Sequence, residues 1–144
     1  LSWTGISLEV GENDGATSGD ISVTDDIDNY QLRTKDNDNG GEGILRELDM
    51  TGATTASLSY DYRRDGLDNS SDYTLVEISA NGISGPWTEL TRHQGPDNDS
   101  SYQSINHDIS AYISNNTQIR FKTSASMGGG DTVWFDNIRV DCTP

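Results

Sequence analysis

The sequence predicts an all-β fold built as two packed antiparallel sheets. Three observations carry this. No stretch shows the amphipathic period of a helix-length segment. The apolar residues recur instead with a period of two, in runs of five to nine. Gly, Asn, Asp and Ser punctuate those runs at short, regular intervals.

The runs place ten strands, in order, at 3–10, 20–24, 30–34, 44–50, 56–63, 73–80, 87–93, 102–108, 117–124 and 132–140. The central ones are plain. Leu58, Tyr60 and Tyr62 alternate with Ser59 and Asp61, so they share a face. Ile119 and Phe121 do the same. Asn81-Gly82 between the sixth and seventh runs predicts a hairpin. Asp108, ahead of Ile-Ser-Ala-Tyr-Ile, reads as the cap of one helical turn. Gly128-Gly129-Gly130 is a loop before the last strand. No helix follows it and no Lys accompanies it, so it makes a poor phosphate cradle.

At 144 residues the chain is one domain's worth, expected as a single module spanning 1–144. It begins on Leu1 with no initiator Met, so it reads as a piece of a longer, extracellular protein. Asp and Glu number 24 against 9 Lys and Arg, for a net charge of −15. A field of that sign repels phosphate backbones and anionic lipids, which argues against nucleic acid or a membrane surface as partner. The acidity fits either solubility in a salty medium or divalent cation binding, for which carboxylates are hard oxygen ligands; calcium is the expected ion. The single cysteine, Cys142, allows no intrachain disulfide.

Catalysis finds little support. The two histidines, His93 and His107, sit in no nucleophile or zinc motif. Carboxylate pairs are so abundant that a glycosidase-like pair would arise by chance. The expectation is no enzyme.

The last run, Val133-Trp134-Phe135-Asp136-Asn137-Ile138-Arg139-Val140, is the most informative. Strand alternation puts Asp136 on the face of Ile138 and Val140. If those two point inward, so does Asp136, and a buried carboxylate needs a partner. A bound cation is one solution. Backbone N–H groups, an opposite arginine, or a bulge that turns the side chain outward are the others.

Taken together, Leu58–Tyr62, Val76-Glu77-Ile78-Ser79, Trp87-Thr88-Glu89-Leu90, Ile119-Arg120-Phe121 and Phe135-Asp136-Asn137-Ile138 resemble the MAM-like and galactose-binding-like jelly-roll modules of secreted bacterial proteins. The resemblance spans roughly residues 3–140. It implies a jelly-roll sandwich with a structural calcium near the chain ends, shared by Glu9 of the first strand and Asp136 of the closing strand. The four cysteines of MAM domains are missing.

The turn-rich loop 11–20 could complete that site through Asp14, Asp20 and backbone carbonyls. Asp36-Asn37-Asp38-Asn39-Gly40 is a second stretch of calcium-like composition, or a solvated turn. A sugar would need an exposed aromatic ring and hydroxyl-bonding polar groups. Trp87, Tyr30, Tyr73, Tyr102 and Tyr112 are candidate rings, each also a candidate core residue. Arg63, Arg64 and Asp65 form a polar cluster beside a core strand. The arginines could recognise a sulfated or uronic glycan, or neutralise Asp65, Asp68 and Asp72. The reading is a non-catalytic, calcium-stabilised module for polysaccharide, working beside other domains of the same chain. Its rival is a structural spacer of a surface adhesin.

Overall fold

The computed structural model describes residues 7–25, 30–35 and 41–144. The start of the first predicted strand and the 36–40 stretch lie outside the described residues. All ten strands occur. They are β1 (Ser7–Val10), β2 (Ile21–Asp25), β3 (Tyr30–Lys35), β4 (Gly43–Leu48), β5 (Thr55–Asp65), β6 (Tyr73–Ser79), β7 (Thr88–Gln94), β8 (Gln103–Asp108), β9 (Thr117–Thr123) and β10 (Thr132–Thr143). They form two five-stranded antiparallel sheets, ordered β1-β4-β9-β6-β7 and β2-β3-β10-β5-β8. This is the expected jelly-roll sandwich. The hairpin β6–β7 forms with a longer loop than Asn81-Gly82 alone, though Gly82 does take φ 74°. Asp108 accepts a hydrogen bond from the Ser110 N–H at 3.0 Å, at the start of a single 3-10 turn over Ser110–Tyr112.

The inward faces interleave into one core. Leu58, Val76, Ile78, Val133 and Phe135 are fully buried. The rings of Tyr60, Phe121 and Phe135 meet edge to face, with centroids 4.7–5.7 Å apart. Polar ties also cross between the sheets. Thr34 and Thr74 hydroxyls share a 2.7 Å hydrogen bond, and Thr34 also donates to the Val133 carbonyl. Tyr60 Oη shares a 2.8 Å bond with His93 Nε2. Burial drives the His93 pKa down to about 3, so the ring is neutral.

Strand β10 corrects the inward reading of Asp136. Val133 and Phe135 fill the core, so Trp134 and Asp136 point outward, with Asp136 opposite Asp61 of β5. The register then shifts between Asp136 and Arg139, and Asn137 adopts φ 51°. This is a β-bulge: Tyr60 faces two residues of β10 instead of one. Beyond it Val140 returns to the core opposite Leu58, while Ile138 stays 44% exposed. Simple alternation from Val140 back to Asp136 therefore fails by one residue.

Candidate functional site

Outward residues of the β2-β3-β10-β5-β8 sheet fall in rows set by the register. One row runs Ser22, Arg33, Trp134, Arg63. The next runs Thr24, Gln31, Asp136, Asp61, Ser104, with Asp136 beside β3 by continuation of its pairing. Tyr102, just before β8, extends the first row. The Arg63 guanidinium lies 5.8 Å from the Tyr102 ring and 5.7 Å from the Trp134 ring, so the cation sits between two aromatics. The Tyr102 hydroxyl donates to Gln31 Oε1 across the sheet. Asp61 accepts from Ser104 Oγ at 2.6 Å and from Asn137 Nδ2 at 2.8 Å, which holds its carboxyl below the usual range.

Four buried polar atoms on this face have no hydrogen-bond partner: Ser22 Oγ, Thr24 Oγ1, Arg33 Nε and Trp134 Nε1. Each unmet buried group costs about 1–3 kcal/mol. Half-buried aromatic rings flanked by amide, carboxylate and guanidinium groups are what a sugar surface needs: apolar C–H faces stack and hydroxyls bond.

The predicted ligand residues divide. Arg63 and Tyr102 come together on this face, and Trp134 joins them. Asp65 points to the same side at the strand end, exposed, opposite Thr132. Arg64 alternates to the other side and is structural. Its Nε and Nη2 hold both oxygens of Asp99 at 2.8 and 2.9 Å, and Nη1 donates to the Gln94 carbonyl. It neutralises Asp99, not Asp65, Asp68 or Asp72. With Asp99 only 8% exposed, Arg64→Gln leaves a buried carboxylate without its cation. It should cost about 3 kcal/mol in urea unfolding, whereas Arg63→Gln should leave the midpoint nearly unchanged.

Trp87 lies on the outer face of the other sheet. Its ring is covered at 4.0 Å by Arg120, which pairs with Glu77 at 2.7 Å, and its Nε1 donates to the Ile83 carbonyl. Tyr73 lies under Arg92 in the same way, at 4.3 Å. Tyr112 packs on the core, and Tyr30 is 55% exposed.

The predicted metal residues do not gather as one set. Glu9 accepts from the Asp14 and Gly15 N–H groups. Glu12 accepts from Asp20 and Ile21, and Asp20 pairs with Lys35 at 3.8 Å. The carboxylates of Glu12 and Asp14 crowd Gly19 so closely that a Cβ there would come within 2.5 Å of an oxygen of each. Burial, with Asp14 and Asp20 nearby, raises the Glu12 pKa. Asp20 adjoins Lys35, whose partner on β10 is Thr132. Asp136 is four residues farther along β10, about 13 Å at the strand rise, and on the outer face.

A different group does converge. Asp68, Asp72 and Asp131 bring one carboxylate oxygen each within 4.8 Å of one another. Asp72 and Asp131 are 2% and 5% exposed. Asp72 Oδ2 accepts from the Asp68 and Asn69 N–H groups, and Asp131 Oδ2 from Gly128. Neither meets a basic side chain among the described residues, and burial with two like charges nearby raises the Asp131 pKa. Three carboxylates from two loops could hold a metal ion, and the donor set is all oxygen. Sequence reading missed Glu12, Asp131 and Trp134. Only Trp134 had a legible signal, as an aromatic alternating with core residues on the final strand.

A cavity of about 560 Å³ lies between the sheets. Its walls are mainly apolar, including Val23, Leu32, Ile44, Leu58 and Val140, and suit a sugar poorly. No helix among the described residues is long and apolar enough to cross a membrane.

No family model and no curated protein matches the chain. Solved structures do. A family 61 carbohydrate-binding module in complex with β-1,4-galactotriose superposes with a TM-score of 0.63 at 10% identity, over 96% of this chain and 89% of that one. A family 4 carbohydrate-binding module gives 0.57 at 13%, over 95% and 94%. An adhesin domain of Lys-gingipain from Porphyromonas gingivalis gives 0.56 at 12%, over 78% and 73%. The chain therefore has the jelly-roll fold of carbohydrate-binding modules, a fold it also shares with an adhesin domain.

Proposed function

We propose that this protein is a non-catalytic carbohydrate-binding module of a secreted or cell-surface protein, that it is stabilised by calcium, and that it binds a polysaccharide on the outer face of the β2-β3-β10-β5-β8 sheet. The carrying observation is the Trp134–Arg63–Tyr102 stack, set beside Gln31 and Asp61 and underlain by unmet donors. Rings supply a stacking platform; the second row supplies hydroxyl partners. Nothing in this mode requires a bond to break. His93 is neutral and held by Tyr60, so it serves packing in this reading.

A rigid sheet suits recognition. Trp134 and Arg63 sit on neighbouring strands and Tyr102 just ahead of a third, so little ordering entropy is lost on binding. For the calcium, the Asp68–Asp72–Asp131 group, whose oxygens converge, is the favoured place, and the Glu12–Asp14 crowding beside Gly19 is the alternative. Working beside other domains of the same chain fits a module whose fold carries no chemistry.

The test is a polysaccharide array followed by affinity electrophoresis. Trp134→Ala should lose at least about tenfold in affinity, the scale of one lost ring–sugar stack, with its melting temperature kept within a few degrees. A protein that binds no polysaccharide on the array would favour the spacer reading, to which the adhesin-domain likeness also points.

A further inference from the structure

On the reading that this sheet face binds a glycan, we infer that the glycan is anionic, with a carboxylate or sulfate group seated between Arg33 and Arg63 over Trp134.

Basic side chains are scarce in this chain, 9 against 24 acids. Lys35, Arg64, Arg92, Arg120 and Arg139 are held in ion pairs. Among the described residues Arg33 and Arg63 are in no ion pair, although acids outnumber bases so heavily. Arg33 donates one Nη2 hydrogen bond to the Gly19 carbonyl, and its Nε has no acceptor. The Arg63 guanidinium lies over two rings and makes no side-chain hydrogen bond among the described residues.

Register puts the two side by side in function. Arg33 and Arg63 each pair directly with Trp134, from opposite sides. Their Cα atoms are thus two strand spacings apart, about 9–10 Å, the width of one pyranose ring with its substituents. Both are half-buried. A guanidinium presents paired N–H donors that match a carboxylate or sulfate in two parallel hydrogen bonds. The ring between them gives the sugar's apolar face a place to lie. Asp61 and Asp136, one row on, are the acceptors for hydroxyls, since Asp61 is already oriented by Ser104 and Asn137.

The chain's overall negative field opposes a polyanion at long range, but that field is screened beyond about 10 Å at 0.1 M salt. Two unneutralised guanidinium groups in contact act inside that distance. Overall acidity then disfavours polyanions away from such local guanidinium pairs.

The test uses affinity electrophoresis of the full chain in gels containing matched polymers. They are polyglucuronate, its methyl ester, the neutral 1,4-β-glucan, dextran sulfate and dextran. Charged polymers should retard the protein at least about tenfold more strongly than their neutral partners. Arg33→Gln and Arg63→Gln should each remove most of that preference without shifting the melting temperature. Retardation by polyglucuronate alone identifies a carboxylate, and by dextran sulfate alone a sulfate; both support the inference. Equal retardation by neutral polymers, indifferent to both arginine variants but lost in Trp134→Ala, overturns the anionic inference and leaves glycan binding standing. Retardation by none overturns both.

Discussion

Stability should fall steeply between pH 6.5 and pH 4, and His93→Phe should remove most of that slope. His93 has an ordinary pKa of 6.5 and a value of about 3 in the fold. Burial is the main cause, and Arg64 and His107 add to it. Below pH 6.5 the unfolded chain takes up a proton that the folded chain refuses. The stabilisation is therefore complete above 6.5 and is lost progressively as pH falls toward 3, at about 1.4 kcal/mol per pH unit. His107, also lowered by burial, acts in the same direction. Glu12 and Asp131, whose values are raised, act oppositely near the bottom of the range by protonating more readily when folded.

Phenylalanine keeps the stacking that His93 makes on Tyr62, with centroids 3.9 Å apart, but loses the bond to Tyr60 Oη. The variant should thus lose about 1–3 kcal/mol at pH 7, yet show a shallower acid limb. Urea midpoints at pH 7, 5.5 and 4.5 read this directly. An unchanged slope in the variant would remove His93 from the account.

Calcium should raise the melting temperature, and the effect should run through Asp131. At a hundredfold excess over the dissociation constant a ligand adds about 2.7 kcal/mol. For a domain of this length that is roughly 5–10 °C. EDTA should reverse the shift. Asp131→Asn keeps an acceptor for the Gly128 N–H but removes a buried charge that faces Asp72. Without calcium it should be neutral or stabilising; with calcium it should respond weakly. Because the raised pKa of Asp131 must fall when a cation binds, the wild-type response should also grow from pH 4.5 to 7. Glu12→Gln is the comparison. If it abolishes the response while Asp131→Asn does not, the ion belongs to the loop over residues 11–20.

How legible all this was in the sequence depends on distance along the chain. Strands are local: alternation over five residues located all ten, with ends off by at most three residues where both could be compared. The face of a strand is local too, until a bulge intervenes. The turn at Asn137 carries no glycine to announce it. Asparagine enters the left-handed region more readily than most residues, but Asp-Asn-Ile inside an apolar run does not by itself reveal that it does. Partners are not local at all. Arg64 meets Asp99 from 35 residues away, and adjacent arginines with the same apparent chemistry were sent to opposite sides of one strand. Asp131 joins Asp68 and Asp72 only because the loop before β10 abuts the one after β5, so closely that a Cβ on Gly66 would lie 2.3 Å from the Gly130 carbonyl. The resemblance supplied a plausible pairing of Glu9 with Asp136, but this chain's own acids crowd elsewhere.

The extra residue in β10 divides that strand into two segments with independent reading frames. Val133 and Phe135 answer to one frame and Val140 to the other, so neither half constrains which residues its neighbour must bury. Lengthening or shortening the chain by one position at 137–138 would leave the platform around Trp134 in place. Shortening leaves one residue opposite Tyr60, so the bulge is lost while Arg139 still meets Ser59 and Val140 still meets Leu58 on the buried side.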